Sequence, residues 1–304
     1  MNPVLSLVIA TLDRVVQLEC CLASLPQHCD AIEVVVVDQS VTHSASDVVQ
    51  RFRSRLRISY QYQEVPAASS ARNLGVAYAR GEWVGFPDDD AHFCDDTISA
   101  LMAAIKTNRW DVVSGMTCDE AGVPTVVSWR KKATPITRRS LRDTVAESTL
   151  FLRRSVFLEC GGFDPIFGPG GLFGAEEAID LLRRMLLRLP RLRTQYLPQI
   201  RLVHADSSPY GDADALRKAH RYARARGACF ARHWKQASKR RITSEVCRHI
   251  IGSVVFRGLR QQSRIDCLRG YVAGFREYRR MHVTAQPHPQ LVLKAMPPKQ
   301  ICEP

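Results

Sequence analysis

Runs of β-branched residues with no polar face set the strongest limit on what this chain can fold into. VLSLVIA at 4–10 and IEVVVV at 32–37 have the length and composition of strands buried on both faces, as in parallel sheets covered by helices. Between them VVQLECCLASL at 15–25 puts Val15, Leu18, Leu22 and Leu25 on one helical face. That is a β-α-β unit, and the pattern repeats. LRISYQY at 56–62 precedes SSARNLGVAYARG, a helix that Ser69 or Ser70 can cap and Gly81 can end. Strands are predicted at 83–86 (WVGF) and, after a helix over 96–107, at 111–115 (DVVSG). Strands alternating with helices predict an α/β fold, a mostly parallel Rossmann-like sheet flanked by helices, with ligands beyond the carboxyl ends of the strands.

From about 116 to 145 the periodicity breaks into turns and a basic run, Arg130–Lys132, and this irregular segment is expected to shape a substrate cleft. Residues 176–189 read as a helix stopped before Pro190, and a strand at 200–203 ends at His204. From 214 to about 281 the chain is helical and Arg-rich. Val246, Ile250 and Val254 keep one apolar face there. The division that follows is 1–115 for one half of a domain, 116–235 for its second half, and 236–304 for a basic amphipathic helical extension and tail.

Composition excludes several classes. With 45% hydrophobic and 24% charged residues over 304 positions, the chain can bury a core and is not generally disordered. No apolar stretch approaches the ~20 residues that span a bilayer, and MNPVLSLVIATLDR reads as a first strand and not as a secretion signal. Ten cysteines without a CxxC pair suit reduced thiols in a cytoplasmic location. The net charge of +13 is concentrated in the second half. It points to an anionic partner such as a membrane surface. Nucleic acid is disfavoured, because the basic runs carry no recognition motif and no regular aromatic set.

The acids fall where a ligand would sit. Asp38 closes the second strand, and Asp88, Asp89 and Asp90 close the fourth. Three adjacent aspartates cannot all be buried and ionised without a cation, and Mg²⁺ or Mn²⁺ prefers such oxygen ligands. Strand alternation sends Asp88 and Asp90 to one side and Asp89 to the other. The plainer alternative is an acidic turn capping the helix near Asp95 and Asp96. A second acidic group, Glu176, Glu177 and Asp180, begins the 176–189 helix, where the dipole favours anions.

TLDR, DQS, ARNLGVAYARGEWVGFPDDD, GGFDPIF and FGAEEAIDLL, in that order over residues 4–235, together resemble the family 2 glycosyltransferases of GT-A fold. The resemblance implies a metal-dependent inverting transfer from a nucleotide-diphosphate sugar to a carbohydrate or lipid-linked acceptor. It places that work in surface glycan synthesis, peripheral to the cytoplasmic face of a membrane. It implies that Asp90 binds the metal, that Asp88 lies near metal, ribose or sugar, and that Asp89, Thr11 and Arg72 belong to the donor site. Asp38 would pair with the base. Glu177, with Glu176 second, is expected as general base, although Glu-Glu stands where Glu-Asp is usual and one residue is inserted before Asp180. His204 is expected at the diphosphate or its metal, or else simply packed. Arg224 and Arg226 are expected to reach the diphosphate or to line a solvated helix face, and Gly168, Gly170, Gly171 and Gly174 to let their loop approach the sugar. Two other readings stay open. One is a GT-A-like binding protein without activity. The other is a sugar nucleotidyltransferase, disfavoured because LVIATLDRVVQLE lacks a Gly-rich phosphate loop.

Overall fold

The computed structural model describes residues 2–204, 213–236, 247, 250, 251 and 259–284. One sheet holds strands β1 (Leu5–Thr11), β2 (Ile32–Asp38), β3 (Ile58–Tyr62), β4 (Trp83–Gly85), β5 (His92–Phe93), β6 (Val112–Cys118), β7 (Leu150–Arg153) and β8 (Thr194–Val203). Their order is β3-β2-β1-β4-β7-β6-β8-β5. The run β3-β2-β1-β4 is parallel, as is β6-β8. β7 is inserted antiparallel to both β4 and β6, and β5 is antiparallel to β8. The division expected at 115/116 thus falls inside β6, and both halves share the sheet.

Alternation along the β-branched runs splits the core into two layers. Val8, Val35, Val37 and Val84 pack on one face of the sheet, while Leu7, Ile9, Val34 and Val36 pack on the other. Helices α1 (Val15–Ala23), α3 (Ala68–Tyr78) and α4 (Thr97–Lys106) follow the strands as expected, and a further helix that was not predicted, α2 (Ala45–Phe52), lies between β2 and β3. The helix α3 starts differently from expectation. Ala67 is its N-cap residue, and Ser69 Oγ donates to Phe167 O at 2.7 Å. The serine therefore fastens the 165–174 loop across the helix start.

The predicted strand at 200–203 is the second part of a longer β8. Pro198 concealed its first part. Ser114 on β6 faces Tyr196, whereas Met116 faces Arg201, so β8 bulges around the proline. Gly115 makes room, since a Cβ there would lie 2.2 Å from Ile200 O. The irregular stretch 116–145 contributes the end of β6 and a short α5 (Leu141–Thr144). After β7 come α6 (Arg154–Glu159), the turn at 160–176 and α7 (Glu177–Arg188).

The basic second half supplies α8 (Ala213–Arg232) and α9 (Leu259–Thr284). They pack backbone to backbone: a Cβ on Gly274 would lie 1.8 Å from Arg224 O, and one on Gly227 2.0 Å from Tyr271 O. Of the expected apolar face, Ile250 is exposed, and Val246 and Val254 lie outside the described residues. No helix among the described residues is long and apolar enough to cross a membrane.

Candidate active site

The carboxyl ends of β1, β2 and β4 meet at one edge, and the acids gather there. The alternation expected after β4 is present. Asp89 turns back toward β1, accepting from Thr11 Oγ1 at 2.8 Å and Arg14 Nη1 at 3.1 Å. Asp88 and Asp90 turn the other way, toward His204 at the end of β8. His204 Nε2 lies 3.7 Å from Asp88 Oδ2 and 3.3 Å from Asp90 Oδ1. The potential ligand atoms of Asp88, Asp90 and His204 all lie within 4.8 Å of one another. Asp90 Oδ1 is buried without a hydrogen bond of good geometry, and its other oxygen accepts from Arg14 at 2.6 Å. Two carboxylates and an imidazole converging on one point, with an oxygen left unsatisfied, form a donor set that fits Mn²⁺ or Mg²⁺. His204 first, with Arg14 in support, overcomes burial and holds the Asp90 carboxyl down at about 2. Asp89 is shifted upward because burial outweighs its bonds to Thr11 and Arg14.

These groups line a cavity of about 380 Å³ that also exposes Gln39 and is closed by Lys218 and Tyr222 of α8. Asp38 does not reach it. The Asp38 carboxylate is fully buried and accepts from Ser40 N at 2.8 Å, Ala45 N at 3.0 Å and Tyr60 Oη at 3.1 Å. It fixes the turn into α2. The next residue, itself buried, lines the cavity. Gln39 Oε1 accepts from Ala67 N at 2.6 Å, which orients the amide and leaves Nε2 without an acceptor among the described residues.

The second acidic group arrives from α7 and is joined to the first by one buried guanidinium. Arg72 Nη2 donates to Asp88 Oδ1 at 2.8 Å and Arg72 Nη1 to Glu177 Oε1 at 2.9 Å. Arg72 and Glu177 are each almost fully buried, and the Arg72 guanidinium lies 5.9 Å from the Phe163 ring centre. Burial pushes the Glu177 carboxyl up, opposed by Arg72. Glu176, in left-handed backbone geometry at φ 76°, takes a bidentate pair from Arg142 at 2.8 and 2.7 Å. Burial opposes its ionisation, but Arg142 and Arg226 outweigh it and hold Glu176 at about 2. Asp180 is fully buried among Arg184, Arg232 and His233, an architectural role.

The glycine-rich loop packs differently from expectation. At Gly168 (φ +94°) a Cβ would lie 3.0 Å from Glu177 Oε1, and at Gly170 one would lie 2.5 Å from Pro66 O. The loop therefore closes over Glu177 and the start of α3, with Pro169 and Gly170 facing the cavity. Arg224 pairs with Glu277, and Arg226 lies 3.5 Å from Glu176, so Lys218 and Tyr222 take the cavity positions expected for those arginines. A second cavity of about 460 Å³ shares Tyr222 with the first and is lined by Arg142, Glu147, Glu176 and Arg226. Sequence reasoning missed Arg14, Glu147 and Arg142. Arg14 alone was visible in a motif, TLDR, while the others lie in stretches without periodicity.

In this mixed α/β sheet the acids cluster beyond the strand ends, where open α/β folds take their ligands. The glycosyl transferase family 2 profile matches residues 6–163, just over half the chain, and the chain belongs to that family. It is 35% identical over 107 residues to validoxylamine A glucosyltransferase of Streptomyces hygroscopicus subsp. jinggangensis, covering 34% of this chain and 25% of that protein. The chain spans about a quarter to a third of the length of the curated relatives it first matches. The fold matches TarS 1–349 of S. aureus with a TM-score of 0.56 at 18% identity, covering 92% of each chain. It also matches mannosyltransferase PcManGT of Pyrobaculum calidifontis, solved with GDP-Man and Mn²⁺, with a TM-score of 0.57 at 17% identity over 90% of this chain and 76% of that one.

Proposed function

We propose that this protein is an inverting, metal-dependent glycosyltransferase using a nucleotide-diphosphate sugar and a carbohydrate or lipid-linked acceptor in surface glycan synthesis. The observation that carries this reading is the convergence of Asp88, Asp90 and His204 at a cavity whose buried Arg72 also holds Glu177. Asp88, Asp90 and His204 would hold the cation, which when bound would offset charge on the departing diphosphate. Thr11, Asp89 and Arg14 brace that acid turn, and Lys218 supplies a further positive charge at the cavity wall. Gln39 Nε2 offers a donor to a base carbonyl. Glu177 is the proton acceptor, and Glu176 shapes the turn that presents it.

A second reading, a GT-A-like binding protein without activity, draws on the fact that Glu176 and Glu177 each already pair with an arginine. One experiment separates the two. A panel including UDP-GlcNAc, which TarS binds in one solved complex, and GDP-Man is screened by thermal shift with and without Mn²⁺, then for release of nucleoside diphosphate. A ligand selective for the folded state raises the melting temperature. Stabilisation that needs Mn²⁺, followed by diphosphate release, is expected; stabilisation without any turnover would favour the binding protein. Attachment to an anionic membrane draws on the charge of the second half and is tested by co-sedimentation with phosphatidylserine vesicles.

A further inference from the structure

Two basic stretches of the chain carry no acid: none falls between Glu120 and Asp143, nor between Asp180 and Asp206. The fold sets them side by side. Thr134 N donates to Tyr196 O at 3.1 Å, Tyr196 N donates to Thr134 O at 2.9 Å, and Thr194 Oγ1 donates to Ile136 O at 2.7 Å. Residues 134–136 therefore run along the start of β8. Arg193 donates to Asn108 O at 2.9 Å and to Asp111 Oδ1 at 2.6 Å, which brings Trp110 to the same place. Between these segments lies a groove of about 430 Å³, walled by Trp110, Pro135, Ile136, Leu186 and Leu192, with Arg138 also lining it.

We propose that this groove and its arginine rim form the surface by which the protein sits on an anionic lipid bilayer. The inference rests on the membrane attachment proposed above and names the face that carries it. It does not depend on the transfer chemistry.

Charge complementarity decides the occupant. Arg109, Arg138, Arg188 and Arg191 are exposed, and none of them forms an ion pair among the described residues. Asp111, beside Trp110, is already held by Arg153 and Arg193. Guanidinium groups around an apolar floor match a phospholipid surface at two depths, the rim meeting phosphates and carboxylates and the floor meeting acyl chains. Trp110 is half-buried and Leu187, next to Leu186 on α7, is exposed; an indole favours the boundary between headgroups and hydrocarbon. A nucleic acid would engage the rim through its phosphates and leave the apolar floor unused. The helix α9, by contrast, turns Phe275 and Tyr278 into the core and Tyr271 onto Phe230 of α8, so these rings are not free to enter a membrane.

The location suits a transferase working at a surface. The groove lies at the start of β8, and the donor cavity, which includes His204, lies beyond its other end. The second cavity begins at Arg142 on α5, close in the chain to Arg138. Seated in this way, the protein holds that second cavity on the bilayer side of the donor cavity.

The test sediments the full chain with phosphatidylcholine vesicles, with and without phosphatidylserine. The wild type is expected to follow the phosphatidylserine vesicles and to be released by added salt. The double variant Arg138→Glu/Arg191→Glu should lower partitioning at least ~10-fold, whereas Arg276→Glu/Arg279→Glu, an equal charge change at exposed positions of α9, should stay within about threefold. All four arginines are exposed, so both variants should melt like the wild type. Brominated phosphatidylcholine in the vesicles should quench tryptophan emission, and Trp110→Phe should lose most of that quenching. Equal losses in the two double variants would mean that net charge alone binds the membrane, and would overturn the surface. Unchanged quenching in Trp110→Phe would overturn it as well. So would an oligonucleotide, or a second copy of the chain, that the first double variant alone fails to bind while its vesicle binding persists. A wild type that sediments with neither vesicle sinks the membrane attachment itself and leaves the transferase reading standing.

Discussion

The two acidic groups of this molecule are built from similar residues and balanced in opposite ways. In the α7 group every carboxylate meets a guanidinium: Glu176 has Arg142, Glu177 shares Arg72 with Asp88, and Asp180 has Arg184 and Arg232. In the turn after β4, Arg14 is half-exposed and reaches over Asp89 and Asp90 from one side. On the other side Asp88 and Asp90 face an imidazole across 3.3–3.7 Å. Arginine makes a region rigid and complete. The gap between two carboxylates and a histidine is where the proposed metal-dependent reaction would seat its cation.

The largest effect that would sharpen this contrast is expected at Asp180. Asp180→Ala strands two arginines and His233 in the interior and should cost ~3–5 kcal/mol of stability, read as a large fall in chemical-denaturation midpoint. Because these partners depress the folded-state pKa of Asp180, its contribution is fully present above the ordinary carboxylate value and is lost as pH falls. The deficit of the variant relative to the wild type should therefore shrink in acid.

Glu177→Gln should follow, with donor affinity preserved and turnover ~10²–10⁴-fold lower. Loss of donor binding along with turnover would mean that Glu177 mainly holds Arg72 in place. Asp90→Ala belongs to the other group and should leave the melting temperature in metal-free buffer near that of the wild type. Its Mn²⁺-dependent donor affinity should drop by at least ~10–100-fold, and full affinity measured by calorimetry would remove the metal assignment. The smallest effect is expected at Gln39, where Gln39→Ala should weaken nucleotide binding ~10-fold, about one hydrogen bond. Asp38→Ala should instead lower thermal stability through the start of α2. Equal nucleotide losses without destabilisation in both variants would show that Asp38 touches the base after all.

Much of the donor half was legible because its signals are local. A continuous β-branched run has no alternative to a strand buried on both faces, and strand alternation alone sends Asp88 and Asp90 together and Asp89 apart. Asp38 was less legible, because its position at the end of β2 is equally suited to a ligand or to capping the next turn. The choice depended on Tyr60, brought alongside by β3.

What the sequence by itself determined was the alternation of strands with helices in the first half, the strand-end location of the acids, and family membership through motifs kept in register. Only the tertiary structure decided which arginine neutralises which acid, and that Gln39 and not Asp38 faces the cavity. Hydrophobic periodicity is written in neighbouring residues, whereas charge pairing in a low-dielectric interior depends on groups far apart in the chain, such as Arg72 and Glu177. Their pairing is set only when the sheet closes.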